Sequence, residues 1–164
     1  MEPRIERLED RKLVGKKRTM TLSDNQTGIL WQSFMPYRKL ITNSIGTWLY
    51  SLQVYDPAQE LPLFNPGIRF EKWAAIEAED INILPEGMEG YELKGGLYAV
   101  FIHHGPAHEF AKTFGYIFGS WLPASDYELD ERPHFERLPE GYSPVDPNAW
   151  EEIWIPIRPK NNRV

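Results

Sequence analysis

The chain has 164 residues, 41% apolar and 13% aromatic, which is enough to build one domain around a real core and excludes a disordered segment. It contains no cysteine, so disulfide scaffolds, cysteine-bearing zinc sites and thiol nucleophiles are excluded together. The net charge of −6 divides unevenly: residues 1–18 hold seven Lys/Arg and four Asp/Glu (+3), the last seven residues hold three Lys/Arg (+3), and the body between them holds eight basic and twenty acidic side chains (−12). A body that acidic repels a phosphate backbone, so direct nucleic-acid binding is not expected, and a cationic ligand or a basic protein partner is the easier fit.

No stretch approaches the roughly eighteen uninterrupted apolar residues of a membrane span, and the charged start of the chain has no apolar centre of the secretory kind. A cytoplasmic protein without a membrane contact is expected.

The first predicted element is a strand over Lys12–Leu22, its basic residues blunting an edge. Ser23 and Asp24 are suited to cap a helix that carries Ile29, Leu30, Trp31, Phe34 and Met35 and is stopped or kinked at Pro36. Thr47–Tyr55 and Ile68–Ala78 read as strands separated by a proline-rich loop. A strand over Tyr91–His103, bent at Gly95-Gly96, follows an acidic turn region. The second helix opens at Gly105-Pro106, presents Phe110, Phe114, Ile117, Phe118, Trp121 and Leu122 as one stripe, and closes at Pro123. Tyr127–Leu138, interrupted at Pro133, and Trp150–Ile157 complete the strands.

The two helix ends align with each other. Ile29-Leu30-Trp31-Gln32-Ser33-Phe34-Met35-Pro36 matches Tyr116-Ile117-Phe118-Gly119-Ser120-Trp121-Leu122-Pro123 in residue type, at a constant offset of 87. The chain therefore reads as one domain spanning residues 1–164, made of two strand–helix–strand–strand units, about 10–80 and about 90–158. The fold class expected is α+β, with a curved antiparallel sheet, two main helices, approximate two-fold symmetry and a ligand cavity between the halves.

Leu97-Tyr98-Ala99-Val100-Phe101 with His103 and Gly105-Pro106, then Gly119-Ser120-Trp121-Leu122-Pro123, then Glu152-Ile153-Trp154-Ile155-Pro156-Ile157, occur in an order and spacing that resemble the GyrI-like, or effector-binding, small-molecule-binding domains. The resemblance runs from about residue 10 to the end. It implies a duplicated fold with a central cavity, and a binder of hydrophobic cations. In regulators of this family the domain accompanies a helix-turn-helix; the length here leaves no room for one, so a stand-alone member is expected. Hydrolysis of small molecules in the same cavity and a gyrase-inhibitor-like protein interaction are the alternatives that the resemblance carries. It also equates Glu152 with the family's buried acid and Trp154 with a pocket-lining neighbour.

Strand alternation puts Glu152, Trp154 and Pro156 on one face and Glu151, Ile153, Ile155 and Ile157 on the other. The isoleucine face reads as core. A carboxylate beside an indole on the other face suits a cation, through Coulomb attraction and a cation–π contact of about 0.5–2 kcal/mol. The same alternation allows Glu152 to be a solvated residue on an edge. Glu152 and Trp154 lead the expected ligand-binding set, followed by Trp121, Tyr50 and Tyr98. His103, His104 and His108 lack the convergence that a metal needs, and no phosphate loop, nucleophile elbow or dinucleotide fingerprint is present, so no metal, cofactor or assigned catalytic residue is expected.

Overall fold

The structure, a computed structural model, describes residues 1–56, 58–62 and 64–161. Among the described residues, nine strands and two main helical segments follow the chain in two similar halves. The first half holds β1 (Arg4–Leu8), β2 (Arg11–Met20), α1 (Thr27–Phe34), β3 (Ser44–Val54) and β4 (Phe70–Ala78). The second holds β5 (Glu89–Leu93), β6 (Gly96–His104), α2 (Phe110–Tyr116), α3 (Leu122–Ala124), β7 (Tyr127–Leu129), β8 (His134–Leu138) and β9 (Trp150–Pro159). The sheet runs β1-β6-β9-β8-β3-β4-β2-β5, antiparallel throughout, with β7 added to the far end of β9. The order repeats about the β8–β3 pair: β6-β9-β8 in one half answers β2-β4-β3 in the other. The fold is the expected α+β duplication.

Two departures from the sequence reading concern the strands before each repeat. Arg4–Leu8 forms β1, a strand hidden in the sequence because three of its five residues are charged and it lies on an edge. The expected single strand over Tyr91–His103 is two strands at opposite ends of the sheet order, β5 on β2 and β6 on β9. Each half thus gives its leading strand to the other: β1 pairs with β6, and β5 pairs with β2. The two crossings touch at Gly95, where a Cβ would lie 2.1 Å from the Leu8 carbonyl oxygen and where the N–H donates to Asp10 Oδ1 at 2.7 Å. Only a residue without a side chain fits there.

The helices also differ in detail. α1 starts at Thr27 after Gln26, with no side-chain cap; Ser23 and Asp24 lie ahead of the cap position, and the Ser23 hydroxyl donates to Pro66 O. At Pro36 the run tightens into a 3-10 turn over Met35–Leu40 rather than ending. In the second segment a 3-10 turn (Ala107–Glu109) leads into α2, and a π turn (Ile117–Trp121) joins α2 to α3. The Leu122 N–H reaches back to Ile117 O across this widened turn; Pro123 has no N–H to offer a preceding carbonyl.

Both faces of the sheet are buried. On one, Leu8, Leu13, Tyr50, Leu52, Trp73, Ala75, Leu93, Tyr98, Val100, Phe135 and Trp154 form a single cluster drawn from β1 to β6, β8 and β9. Among the described residues no helix packs on this cluster, yet Tyr98, Phe135 and Leu52 are wholly inaccessible. The sheet must therefore curl, with this face as its interior. The helices lie outside in two separate patches: α1 with Leu30 and Phe34 over Val14, Phe70 and Ala74, and the second helical segment, through Ile117 of its π turn, over Ala99, Phe101, Ile153 and Ile155. Between them the outer face of β3 and β8 forms the floor of a cleft. Among the described residues no helix is long and apolar enough to cross a membrane.

Candidate functional site

Alternation along β9 sends Trp154 and Glu152 into the curled interior and Glu151, Ile153 and Ile155 outward. Tyr50 on β3 and Tyr98 on β6 join Trp154 inside. Phe135 lies at the centre, stacked on Trp154 (5.2 Å between centroids, 16° between planes) and touching Tyr98 and Tyr50 at 5.4 and 5.7 Å. Four of the five expected site residues are thus gathered. Trp121 is not among them: it lies on the outer face against Phe101 and Tyr127.

The gathered residues are packed against one another, and Glu152 already has its cations. Its Oε2 accepts from Arg4 at 2.9 Å, and its Oε1 accepts from Arg137 at 2.8 Å and from the Trp154 indole at 3.0 Å. Arg137 stands 4.3 Å from the Trp48 ring and 5.0 Å from the Trp154 ring. Burial pushes the Glu152 carboxyl up, but the hydrogen bonds from Arg137, Trp154 and Arg4 outweigh it and hold the group below its usual value. Here the chain's own guanidinium groups fill the place imagined for a ligand cation.

The outer cleft is different. Its floor carries Ser51 and Gln53 from β3, Lys72 from β4, His134 and Glu136 from β8, and Glu151 from β9, all under 9% exposed. Gln53 donates to Glu136 Oε1 at 2.9 Å, and Lys72 Nζ lies 3.6 Å from the same oxygen. Among the described residues Glu136 Oε2 accepts no hydrogen bond. Glu151 accepts from the Tyr142 hydroxyl at 2.8 Å and has no ion-pair partner among the described residues. Burial, together with repulsion from Glu136, pushes the Glu151 carboxyl up to about 8; Tyr142 and Lys72 offset this only in part. Burial also raises Glu136, against Lys72 and Gln53, and holds His134 down at about 4, so its ring is neutral.

Aromatic side chains wall this floor. Phe114 and Phe118 come from the second helical segment; Phe118 stacks on His134 (6.2 Å, 23°), and Tyr55 meets His134 edge-on at 5.1 Å. An inner chamber of about 20 Å³ lies among Gln53, Tyr55, Leu61, Phe114, Phe118, His134, Glu136 and Ile155. Tyr55, Leu61 and His134 separate it from a wider cavity of about 360 Å³, which is bordered by Tyr91, Asp130, Arg132 and Arg158 at the end of the sheet. The arrangement is a funnel whose throat is aromatic and whose deep end is anionic.

The sequence profile of the GyrI-like small-molecule-binding domain matches residues 1–158. The chain belongs to this family. Among its relatives, the transcriptional regulator BrlR of Pseudomonas aeruginosa is 28% identical over 133 residues, covering 79% of this chain and 46% of the relative. A DNA gyrase inhibitor of Escherichia coli is 34% identical over 84 residues, 48% of this chain and 52% of the relative. This GyrI-like chain therefore spans about half the length of these curated relatives. Of solved structures, SAV2435 bound to tetraphenylphosphonium superposes with a TM-score of 0.70 at 17% identity, over 96% of this chain and 94% of that one. At that identity the likeness establishes the curled half-barrel with two helices.

The cleft residues escaped the sequence reading for an identifiable reason. Glu151 shares its face with three isoleucines, which made that face read as apolar core. A readable signal did exist in the run Glu151-Glu152: adjacent strand residues point to opposite faces, so two successive acids in a central strand must place one carboxylate on each side of the sheet. Among the described residues no His/Asp/Glu group has metal-binding geometry. His103 is buried, with Nδ1 on the Thr113 hydroxyl (2.7 Å) and Nε2 donating to Pro106 O (3.2 Å), which fixes the strand–helix junction.

Proposed function

We propose that this GyrI-like domain captures a hydrophobic cation, and that the cation docks in the cleft between the helices with Glu136 and Glu151 as its counter-charges. The observation that carries the reading is the buried Glu136 carboxylate lining the inner chamber with Phe114 and Phe118, with a second buried acid, Glu151, on the same face of the sheet and, among the described residues, Lys72 as the one ion-pair partner of the two. A buried acid held protonated for want of positive charge regains its ionised form when a cation arrives, so the site favours charge as well as apolar surface. The aromatic rings supply stacking and cation–π attraction of about 0.5–2 kcal/mol each. The inner chamber, at about 20 Å³, is smaller than such a cation, so entry requires Leu61 and Tyr55, which line both cavities, to move aside. Support also comes from the tetraphenylphosphonium held by the structurally similar SAV2435.

Calorimetric titration with tetraphenylphosphonium and with neutral triphenylphosphine oxide tests this. The cation should bind at least tenfold more tightly than the neutral compound, and Glu151→Gln should reduce that preference about tenfold while leaving the neutral compound little changed. Equal losses for both compounds would show that Glu151 is no counter-charge.

A second reading has one observation behind it. The Glu151 carboxyl, buried on the outer face of β9 and bonded by Tyr142, is held up to about 8 and so keeps its proton at neutral pH, the state that a general acid needs. Turnover of a simple aryl ester, lost in Glu151→Gln, would favour it; a flat progress curve with intact cation binding would exclude it for that substrate class.

A further inference from the structure

The cleft floor is where the two halves of the duplication cease to match. Leu52 and Phe135 hold corresponding places, each opposite the tryptophan of its own half, Trp73 or Trp154. One residue further on, Gln53 in the first half answers Glu136 in the second. One residue before each tryptophan, Lys72 answers Ile153. The outer floor is thus asymmetric, with its lysine contributed by β4 and both carboxylates contributed by β8 and β9. Lys72 is 7% exposed, yet its ammonium group stops 3.6 Å from Glu136 and makes no hydrogen bond of ordinary length to a described residue. At that separation the ammonium acts on Glu136 through its charge.

Resting on the cation reading above, we propose that Lys72 sets the charge of the ligand: its ammonium occupies one of the two carboxylate places, so the cleft admits a single positive charge and discriminates against dications. The floor sums to one uncompensated negative charge when both acids are ionised, two negative against one positive. A ligand with one cationic centre completes that balance beside Glu151, on the side of the second helix. A second cationic centre would meet the Lys72 ammonium in a low-dielectric space, where like charges repel strongly. Removing the ammonium leaves Glu136 with only the neutral Gln53 amide as a partner and opens a second place for positive charge.

Titration calorimetry with two probes separates the outcomes: tetraphenylphosphonium, with one charge, and p-xylylene-bis(triphenylphosphonium), with two. The native chain should prefer the monocation by at least tenfold. Lys72→Met should move the ratio at least tenfold toward the dication, and Lys72→Arg, which keeps the charge, should leave it near the native value. Since size alone predicts the same ratio in every variant, a Lys72→Met ratio within threefold of native, with the monocation still bound, overturns the role of Lys72 and leaves the cation reading standing. Should Lys72→Met fail to fold, the native chain still decides: equal affinity for both probes overturns the proposal. Binding of neither probe by the native chain overturns the cation reading, and the proposal with it.

Discussion

Glu151 and Glu152 are neighbours in sequence and opposites in chemistry. Glu152 is anchored by Arg4, Arg137 and the Trp154 indole, so Glu152→Gln should act on stability: roughly 3 kcal/mol lost, seen as a lower denaturant midpoint with cation affinity little altered. A loss of affinity with no loss of stability would return Glu152 to the ligand. Glu151 behaves in the reverse sense. Its carboxyl sits at about 8 in the folded chain against roughly 4.3 unfolded, so the folded state holds the proton more tightly. Its contribution to stability is therefore fully present below about pH 4.3 and is lost as pH rises through 8. Glu151→Gln should flatten the fall in Tm between about pH 5 and 8; an unchanged pH profile would contradict the assignment. For the ligand the sign is opposite: the cation displaces the proton, so its affinity should climb by up to tenfold per pH unit below 8 and level off above. Alternation alone revealed which face each glutamate takes. The partners that decide their roles were not legible, because Arg4 reaches Glu152 from the other end of the chain and Tyr142 lies in a loop with no periodicity.

At the level of elements, apolar spacing was enough for the two helices and for most strands, since those segments bury one continuous stripe or alternate cleanly. It failed for β1 and for the break between β5 and β6. A charged edge strand has no pattern of burial to show, and the shift of the inward residues from Tyr91 and Leu93 to Tyr98 and Val100 reads equally well as a bulge at Gly95-Gly96. Gly95 marks that change. Gly95→Ala would drive a methyl group into the Leu8 carbonyl, and the crossing should lose about 1–3 kcal/mol in a denaturation experiment. Wild-type stability in that variant would mean that the crossing relaxes without cost. The π turn over Ile117–Trp121 was equally invisible, since the stripe from Phe110 to Leu122 continues through it.

On the scale of the whole molecule, the exchange of leading strands ties β1 to the second half and β5 to the first, around one shared aromatic interior. Neither half can complete its sheet alone, so urea unfolding followed by tryptophan fluorescence and by circular dichroism should give coincident single transitions. Two separated transitions would show that the halves fold independently. The consequence reaches the cleft. Because the inner face welds the halves together, the outer face is relieved of holding them, and its central strands can carry buried charge that a lone unit of this size could not tolerate. Through that weld two matching halves become one chain with Lys72 on one side of the floor and Glu136 and Glu151 on the other: a polarity that no symmetric assembly of the same unit could possess.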